Sequence, residues 1–517
     1  MYECQNCGGN LKFDIGSQKL FCEYCGTLED PYDVYKERDA EESTQYEVTI
    51  FTCPQCGGEL LSEDTTAATF CNFCGGATIL NSRISKERRP HHIIPFTKTR
   101  EDCRKAYVKM VRRAIFAPKE LRDEAHIEKF RGIYMPYWIY SFETKGTIFF
   151  DGSKSRQKGD YLITRHYTMQ SDVDAAYSGI AYDASAAFSD NLSGAIAPFH
   201  LEKEKPFTPS FLSGFYADTS DVDSYVYEEE AQDMVMEDGA KQISKNAVCS
   251  RFQVKEGKNR RSLKKALQPT QTVKELAMLP VWFLAYRKDD RVAYAVVNGQ
   301  TGKAAADLPV DMKKYAAGSL FLALPIFLLL NLFFTIIPTR LLILTAFLAC
   351  VCAYVSISQL SNLMKKESGE EDKGYQFRQG KSGAVKKKKR NVPTYTLIMA
   401  LALFCPYILI AEVFSGGSGI VTGILFVLAA AGIVLASCLI KRRIPIKKAF
   451  PVLAKPMGAV LLAGAILVLN PVSDLYYYGG AVVSLGMVIW TLTDIIKRYN
   501  LLTTRKLPQL NRRGGEM

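Results

Sequence analysis

The amino-acid sequence predicts a multidomain protein with two small zinc ribbons, an α+β cytosolic domain and an all-α polytopic membrane domain of about six transmembrane helices. Three observations predict this fold class. A cysteine frame occurs twice near the start, a middle region has ordinary globular composition, and long apolar stretches begin at Ala316. With 517 residues, the chain has room for several domains.

The duplicated cysteine frame predicts two structural zinc sites. Each copy reads Cys-x2-Cys-x14-Cys-x2-Cys, and the copies are offset by 49 residues. The predicted ligands are Cys4, Cys7, Cys22 and Cys25 in one site and Cys53, Cys56, Cys71 and Cys74 in the other. Two such cysteine pairs complete the tetrahedral thiolate shell that a structural Zn2+ requires. We expect zinc ribbon 1 at residues 1–30, a linker at 31–49 and zinc ribbon 2 at 50–82.

Other uses of the eight cysteines are weaker or remain open. Disulfides suit a secreted chain, but the residues after Met1 lack the basic and apolar regions of a signal peptide. Rubredoxin-type iron at Cys53-Pro54-Gln55-Cys56-Gly57 and a cross-braced pair of sites remain alternatives. Four protein ligands leave the metal no open position for water, so we predict no catalytic residue at either site.

Charge is distributed unevenly along the chain. The formal net charge is +12, yet residues 1–80 hold 14 acidic and 4 basic side chains, whereas residues 313–517 hold 25 basic and 8 acidic ones. A protein that grips nucleic-acid phosphates needs lysine and arginine at the contact. Because the predicted ribbons are acidic, nucleic acid is disfavoured as their partner.

Six apolar stretches are long enough to cross a bilayer, within a predicted transmembrane domain at 316–496. They lie at 316–338, 341–360, 394–412, 418–440, 456–473 and 475–496. Residues 361–393 carry ten lysines and arginines and residues 441–455 carry six, whereas the intervening turns carry one, Arg340.

This alternation predicts the orientation of the membrane domain. Lysine and arginine stay on the cytoplasmic side, so we expect a multi-pass protein of the cell (cytoplasmic) membrane with both termini cytoplasmic and a basic cytoplasmic tail at 497–517. Membrane lipids are then partners. In this reducing compartment thiols persist as metal ligands.

The middle region, residues 90–312, is predicted to be the α+β cytosolic domain. The expected elements are basic helices within 98–131, strands near 133–143, 145–151 and 161–170, a helix at 217–248, and strands at 278–287 and 291–298. Asn298–Lys303 is predicted to be a hairpin turn rather than a phosphate cradle. No catalytic cluster or small-molecule substrate is evident in the sequence.

Several segments resemble a known bacterial family. They are the two ribbons, Met135-Pro136-Tyr137-Trp138-Ile139-Tyr140, the stretch from Phe211 to Asp218, and the stretch from Leu279 to Lys303. Together they resemble membrane-anchored proteins with TFIIB-type zinc ribbons, the YdjG-like group. The resemblance implies a membrane anchor that works with PspA-like and SPFH-type protein partners in envelope-stress protection.

The sequence therefore favours one functional hypothesis over two alternatives. We expect a non-enzymatic integral membrane scaffold, or anchor, whose cytosolic zinc ribbons and middle domain recruit protein partners. One alternative is a membrane-tethered nucleic-acid-binding or transcription regulator. The other is a transporter or lipid-handling protein.

Overall fold

The computed structural model describes residues 2–36, 45–61, 71, 73–74, 81–245, 251–252, 267–288, 290–333, 337–379 and 444–507. Its strands are β1 (Leu11–Asp14), β2 (Lys19–Cys22), β3 (Leu28–Glu29), β4 (Gln45–Thr52), β5 (Glu59–Leu61), β6 (Asn81–Arg88), β7 (His92–Ile93), β8 (Arg131–Lys158), β9 (Tyr161–Asp183), β10 (Lys205–Pro206), β11 (Tyr216–Asp218), β12 (Gln271–Lys288), β13 (Arg291–Asn298), β14 (Ala304–Ala306) and β15 (Arg505–Lys506).

The described α-helices alternate with these strands and then dominate the second half of the chain. They are α1 (Pro31–Lys36), α2 (Arg100–Arg113), α3 (Glu124–Ile127), α4 (Asp190–Ile196), α5 (Tyr225–Lys245), α6 (Met312–Phe333), α7 (Pro338–Glu367), α8 (Lys373–Arg378), α9 (Ile446–Leu469) and α10 (Asp474–Leu502).

The first ribbon is a small antiparallel sheet of β1, β2 and β3. Its side chains alternate as a half-buried strand requires: Leu20 is buried and Phe21 is exposed. The buried face contacts the middle domain, where the rings of Phe13 and Phe211 lie 5.3 Å apart. The Phe13 amide also donates to the carbonyl oxygen of Ser213 at 3.1 Å. The first ribbon is thus docked on the middle domain.

The middle domain is built on β8 and β12, which pair antiparallel from Gln271 opposite Glu143 to Phe283 opposite Arg131. Among the described residues the sheet has twelve strands, in the order β10-β7-β12-β8-β11-β5-β4-β6, with β9 on β8 and β13 on β12. The second ribbon's strands β4, β5 and β6 therefore extend this sheet. The predicted linker at 31–49 contains α1 and the first residues of β4.

Both faces of the sheet are covered by apolar side chains. On one face α2 contributes Cys103, Tyr107 and Val111, which recur every four residues and pack against β12 and β13. A capping box starts this helix: Thr99 Oγ1 accepts from the Asp102 amide at 3.2 Å, and the Asp102 carboxylate accepts from the Thr99 amide at 3.1 Å. The opposite face packs against α4 and the second cysteine cluster.

Strands β8 and β9 continue beyond the sheet as a two-stranded arm. The arm leaves the sheet after Glu143, the last β8 residue paired with β12, and reaches its turn at Gly159. At about 3.3 Å per residue, the fifteen residues that follow Glu143, up to Lys158, span about 50 Å. Helix α5 supports the base of the arm, where Ile148 packs with Ala240. We call residues 154–166 the distal arm.

The structure corrects two predicted elements and confirms a third. The strands predicted at 133–143 and 145–151 are one strand, because β9 pairs with β8 without interruption across Thr144. The helix predicted at 217–248 begins at Tyr225, since Tyr216 and Ala217 instead pair with β8 in parallel. The predicted turn at Asn298–Lys303 is confirmed, with the Asn298 amide donating to the Lys303 carbonyl at 2.9 Å.

Four described helices are long and apolar enough to cross a membrane. They are Met312–Leu329, Pro338–Glu367, Lys447–Leu469 and Asp474–Leu502. These helices correspond to four of the six predicted spans, and the spans predicted at 394–412 and 418–440 lie outside the described residues. Helices α7, α9 and α10 pack through small residues that let backbones approach, including Ala346, Ala349, Ala459, Ala463 and Ala481. The chain is therefore membrane-associated.

The helices join the middle domain through the strand that follows α10. Strand β15 pairs with β13, placing Arg291 opposite Lys506. The Arg291 guanidinium donates to Thr504 Oγ1 and to the carbonyl oxygen of Leu501, both at 2.7 Å. These bonds satisfy the carbonyl end of α10. The helices are thus joined to the sheet both by the chain itself, through β15, and by the hydrogen bonds of Arg291.

Candidate metal centres

The first four cysteines converge at one end of the first ribbon. Cys4 and Cys7 precede β1, Cys22 closes β2, and Cys25 lies in the turn before β3. The sulfurs of Cys4 and Cys25 are 3.6 Å apart, and those of Cys7 and Cys22 are 3.4 Å apart. All four sulfurs lie within 4.8 Å of one another.

The second four cysteines repeat this arrangement. The sulfurs of Cys53 and Cys74 are 3.8 Å apart, and those of Cys56 and Cys71 are 3.7 Å apart. These four sulfurs also lie within 4.8 Å of one another. Each cluster uses four consecutive cysteines of the frame, so the two centres are sequential rather than cross-braced.

The sulfur separations fit a metal ion and not a disulfide. A tetrahedral metal with bonds of about 2.3 Å to sulfur places its ligands roughly 3.8 Å apart. A disulfide needs about 2.05 Å. Both groups therefore have the donor set and geometry to hold a metal ion, with all four tetrahedral positions filled by protein.

Glycines shape the turns that carry the ligands. Gly8 and Gly57 occupy equivalent places with φ of +72° and +70°, a region that residues with a side chain rarely adopt. Their amides donate to the carbonyls of Cys4 and Cys53 at 2.8 and 2.9 Å. The repeated glycine spacing thus produces two turns of the same geometry.

The two centres differ sharply in burial. In the first, Cys7 and Cys25 are exposed, whereas all four cysteines of the second are buried. The equivalent aromatic residues show the same contrast: Tyr24 is 81% exposed and Phe73 is 0% exposed. The first centre is a surface feature, and the second is part of the domain core.

The packing around Phe73 explains the burial of the second centre. Its ring lies 6.2 Å from that of Phe283 on β12. Its carbonyl accepts a hydrogen bond from Tyr294 Oη at 2.6 Å. The second centre is therefore fixed to β12 and β13 of the sheet.

The surroundings of one exposed cysteine, Cys25, favour its deprotonated thiolate form. Thr27 Oγ1 lies 3.0 Å from the sulfur of Cys25. This hydrogen bond is the main reason that the pKa of Cys25 falls to about 6. A thiolate is the form of cysteine that binds metal.

The other cysteines in the described part of the chain do not join the clusters. Cys103 lies on the buried face of α2, and burial raises the pKa of its thiol above the ordinary value. Cys350 and Cys352 are buried between membrane helices, as expected for small packing residues. Cys249, Cys405 and Cys438 lie outside the described residues.

A partly buried acidic cluster is a feature that sequence reasoning missed. It joins the segment after α7 to the middle domain and consists of Asp183, Asp190, Asp218, Asp221 and Asp372. These residues are far apart in the sequence, so no local motif predicts that they lie together. The two cysteine groups are the metal-capable clusters found in the described part of the chain, and these carboxylates do not form a third.

Hydrogen bonds and one ion pair hold this acidic cluster together. Asp190 accepts from Tyr227 Oη at 2.6 Å and from the Lys373 amide at 3.0 Å. Asp221 forms an ion pair with Arg378 of α8. The cluster therefore fastens α8, and with it the C-terminal end of α7, onto the middle domain.

The acidic cluster predicts a pH-dependent stability. Burial, reinforced by Asp221, raises the pKa of Asp218 from 3.8 to about 7. Burial, reinforced by the nearby charge of Asp190, likewise raises the pKa of Asp372 to about 7. Between pH 4 and 7 the folded protein holds these protons and the unfolded chain does not, so this contribution to stability is full below pH 4 and is lost as pH rises through 7.

We therefore expect the wild-type protein to gain stability relative to Asp218→Asn as pH falls from 7.5 to 5.5. The free energy of unfolding then changes with pH more steeply in the wild type than in Asp218→Asn, by up to about 1.4 kcal/mol per pH unit, because asparagine cannot take up the proton. Thermal unfolding in detergent at several pH values measures it. Identical pH profiles for the two proteins would contradict the role given to Asp218.

Comparison with known proteins places the chain in a family. The uncharacterized protein YdjG of Bacillus subtilis (strain 168) is 32% identical over 333 residues, which cover 62% of this chain and 96% of YdjG. No family model and no solved structure matches the chain. Since the alignment spans nearly all of YdjG, the chain belongs to the YdjG family.

Proposed function

We propose that the protein is a non-enzymatic integral membrane scaffold whose first zinc ribbon and middle domain recruit protein partners. The observation that carries this proposal is the contrast between the two centres. The second is enclosed in the domain core, where it stabilises the fold, whereas the first displays Tyr24, Leu28 and two of its ligands at the surface. An exposed apolar patch on a docked, rigid element is typical of a protein-binding surface.

Zinc is the metal we assign to both centres. Four thiolates at tetrahedral spacing are the ligand set of structural zinc sites, which leave no position for water or substrate. The metal then supplies folding energy and shape rather than chemistry. Rubredoxin-type iron stays the alternative, and elemental analysis of the purified protein distinguishes the two metals.

The cytoplasmic orientation is supported by where the basic residues lie. Lys313 and Lys314 begin α6, Lys365 and Lys366 end α7, and Lys447 lies near the start of α9. Lysine and arginine remain on the cytoplasmic side of a membrane. The end of α10 joins the middle domain through β15, so the middle domain lies at the same end of the helices as these lysines, which supports a cytoplasmic location for it.

The resemblance seen in the sequence suggests the nature of the partners. It points to TFIIB-type ribbons that work with PspA-like and SPFH-type proteins in envelope-stress protection. The first ribbon supports a protein rather than a nucleic-acid partner, because residues 2–36 hold six acidic and three basic side chains.

Affinity purification of the tagged full-length chain from detergent extracts tests the proposal. We expect Tyr24→Ala to reduce recovery of PspA-like or SPFH-type partners about tenfold, since an exposed aromatic anchor at an interface contributes about 1–2 kcal/mol. Ile115→Ala, at a residue that is 74% exposed on another part of the domain, is the matched control. Equal recovery with wild type and Tyr24→Ala would reject a recruiting role for the first ribbon.

A further inference from the structure

We propose that the distal arm binds duplex DNA, with its cations on the phosphates and its two-stranded ribbon in the major groove. The inference goes beyond the proposed function, because it adds a second binding surface and a partner of a different class. Three properties of the arm support it, namely its exposure, its charge and its position relative to the helices.

The distal arm is a two-stranded ribbon that is open on both faces. All thirteen of its residues, 154–166, are exposed. In the described part of the chain, contact with the rest of the domain ends just before it. There Phe252 packs against Gly152, and the Phe252 carbonyl accepts a hydrogen bond from the Ser153 amide at 2.6 Å. A projecting ribbon with both faces open has the shape of an element that enters a groove of its partner.

One face of the distal arm carries cations and no carboxylate. Directly opposite residues share a face, as do residues two apart on one strand. The face is therefore made of the pairs Lys158–Tyr161, Arg156–Ile163 and Lys154–Arg165. Among the described residues these four cations have no ion-pair partner, and the last ion pair along the arm, Lys145–Asp174, lies nearer its base. The cations are thus available to a partner.

The opposite face of the distal arm holds no lysine, arginine or carboxylate. It carries Ser155 opposite Thr164 and Gln157 opposite Leu162. The one carboxylate of the distal arm is Asp160 in the turn, so the net charge is +3. Protein surfaces mix both signs of charge, whereas duplex DNA carries one negative charge per about 1.7 Å of its axis. A face of cations without carboxylates therefore suits DNA better than an acidic protein.

The dimensions of the ribbon fit the major groove. Packed sheets lie about 10 Å apart, so a ribbon with its side chains is about 10 Å thick. The major groove of B-DNA is about 12 Å wide and admits a two-stranded ribbon. Lys154 lies four residues, about 13 Å, behind Lys158, which exceeds the groove depth of about 8.5 Å. Lys154 and Arg165 then lie level with the phosphates, while Tyr161 and Ile163 contact base edges.

The position of the distal arm disfavours the chain's own membrane as its partner. Lys288 lies at the end of β12 that neighbours β15 and the helices. Gln271, at the other end of β12, lies about 56 Å away and opposite Glu143. The arm continues beyond Glu143 in the same direction, so its turn is still farther from the helices. This placement favours a soluble polyanion over the bilayer.

Salt-dependent binding of DNA by the full-length protein in detergent tests the inference. Fluorescence anisotropy of a labelled duplex measures affinity between about 50 and 200 mM salt, where each phosphate contact adds about −0.9 to the slope of log affinity against log salt concentration. Arg156→Gln with Lys158→Gln removes two cations and should make the slope shallower by about 1.8. Binding at the lowest salt concentration should weaken about tenfold or more.

Two control variants separate the arm from the other basic parts of the chain. Lys105→Gln with Lys109→Gln removes two exposed cations from α2 and should leave the salt slope unchanged. Arg156→Lys keeps the charge of the arm and should bind the duplex as the wild type does. Absence of DNA binding by the wild type, or a wild-type slope in Arg156→Gln with Lys158→Gln, would overturn the inference.

Photo-cross-linking identifies what the arm touches in cells. With p-benzoylphenylalanine in place of Tyr161, illumination should join the protein to DNA, which digestion with deoxyribonuclease reveals. Cross-links only to lipid, RNA or protein would reject DNA as the partner of the arm. If the arm variants bind DNA as the wild type does while Tyr24→Ala still loses its protein partners, this inference fails and the proposed function stands.

Discussion

Replacing Cys71 with serine is expected to abolish folding of the middle domain, whereas Cys7→Ser should remove one metal and leave that domain folded. Cys71 is 1% exposed and belongs to a centre packed against β12 and β13. A structural zinc site contributes about 10–16 kcal/mol to folding, as much as or more than the whole stability of a typical domain, about 5–15 kcal/mol. Cys7 is exposed in a ribbon whose strands form a separate sheet.

Elemental analysis and thermal unfolding of the full-length protein in detergent measure this difference. We expect two metals per chain in wild type and one in Cys7→Ser, with the main unfolding transition retained. Cys71→Ser should not accumulate as folded protein. Cys103→Ala is the control, because Cys103 is equally buried but outside both clusters. A Cys71→Ser protein that unfolds cooperatively at the wild-type temperature would show that the second centre does not hold the domain together.

The clusters themselves were predictable because a metal site leaves a local signature. Two cysteines separated by two residues, with glycine following, specify a turn that directs both sulfurs at one point. The sequence therefore predicts all eight ligands, and the structure brings them together in the two expected groups. What local spacing cannot encode is where each ribbon docks.

The different burial of the two metal centres depends on contacts with residues that are distant in sequence. Tyr24 and Phe73 hold the same place in the repeat, yet one is exposed and the other is buried. The difference comes from Phe283 and Tyr294, more than 200 residues away in the chain, which cover Phe73. A sequence pattern read over 25 residues cannot contain that information.

The sequence predicts two strands, at 133–143 and 145–151, where the structure has the single strand β8, and again a contact distant in sequence explains the difference. Residues 133–143 are apolar at most positions, whereas residues 144–158 are mostly polar around Ile148, Phe149 and Phe150. In the structure the strand continues because β9 supplies its hydrogen bonds as far as Lys158. The partner strand, rather than burial of side chains, defines the element there.

Replacing Arg378 with alanine is expected to detach α8 from the middle domain. The Arg378 and Asp221 side chains are 9% and 3% exposed, and they form an ion pair. Asp221 also accepts a hydrogen bond from the Ala186 amide at 2.7 Å, which holds the carboxylate in place. Removing the guanidinium leaves a buried charge without its counter-ion, which costs about 3–5 kcal/mol.

The expected result is faster amide hydrogen exchange in residues 368–379, with β8 and β12 unaffected. Lys373→Ala is the matched control, because the Lys373–Glu230 pair is 32% and 35% exposed, and exposed pairs contribute about 0–1 kcal/mol. Arg378→Met combined with Asp221→Asn should recover much of the loss, since asparagine keeps the acceptor for the Ala186 amide without a buried charge. If Arg378→Ala exchanges no faster than Lys373→Ala, the buried ion pair is not what fastens the end of α7 to the sheet. If only the double variant recovers, the cost arises from the uncompensated charge of Asp221, and the Arg378–Asp221 pair is one of the electrostatic links between the helices and the middle domain.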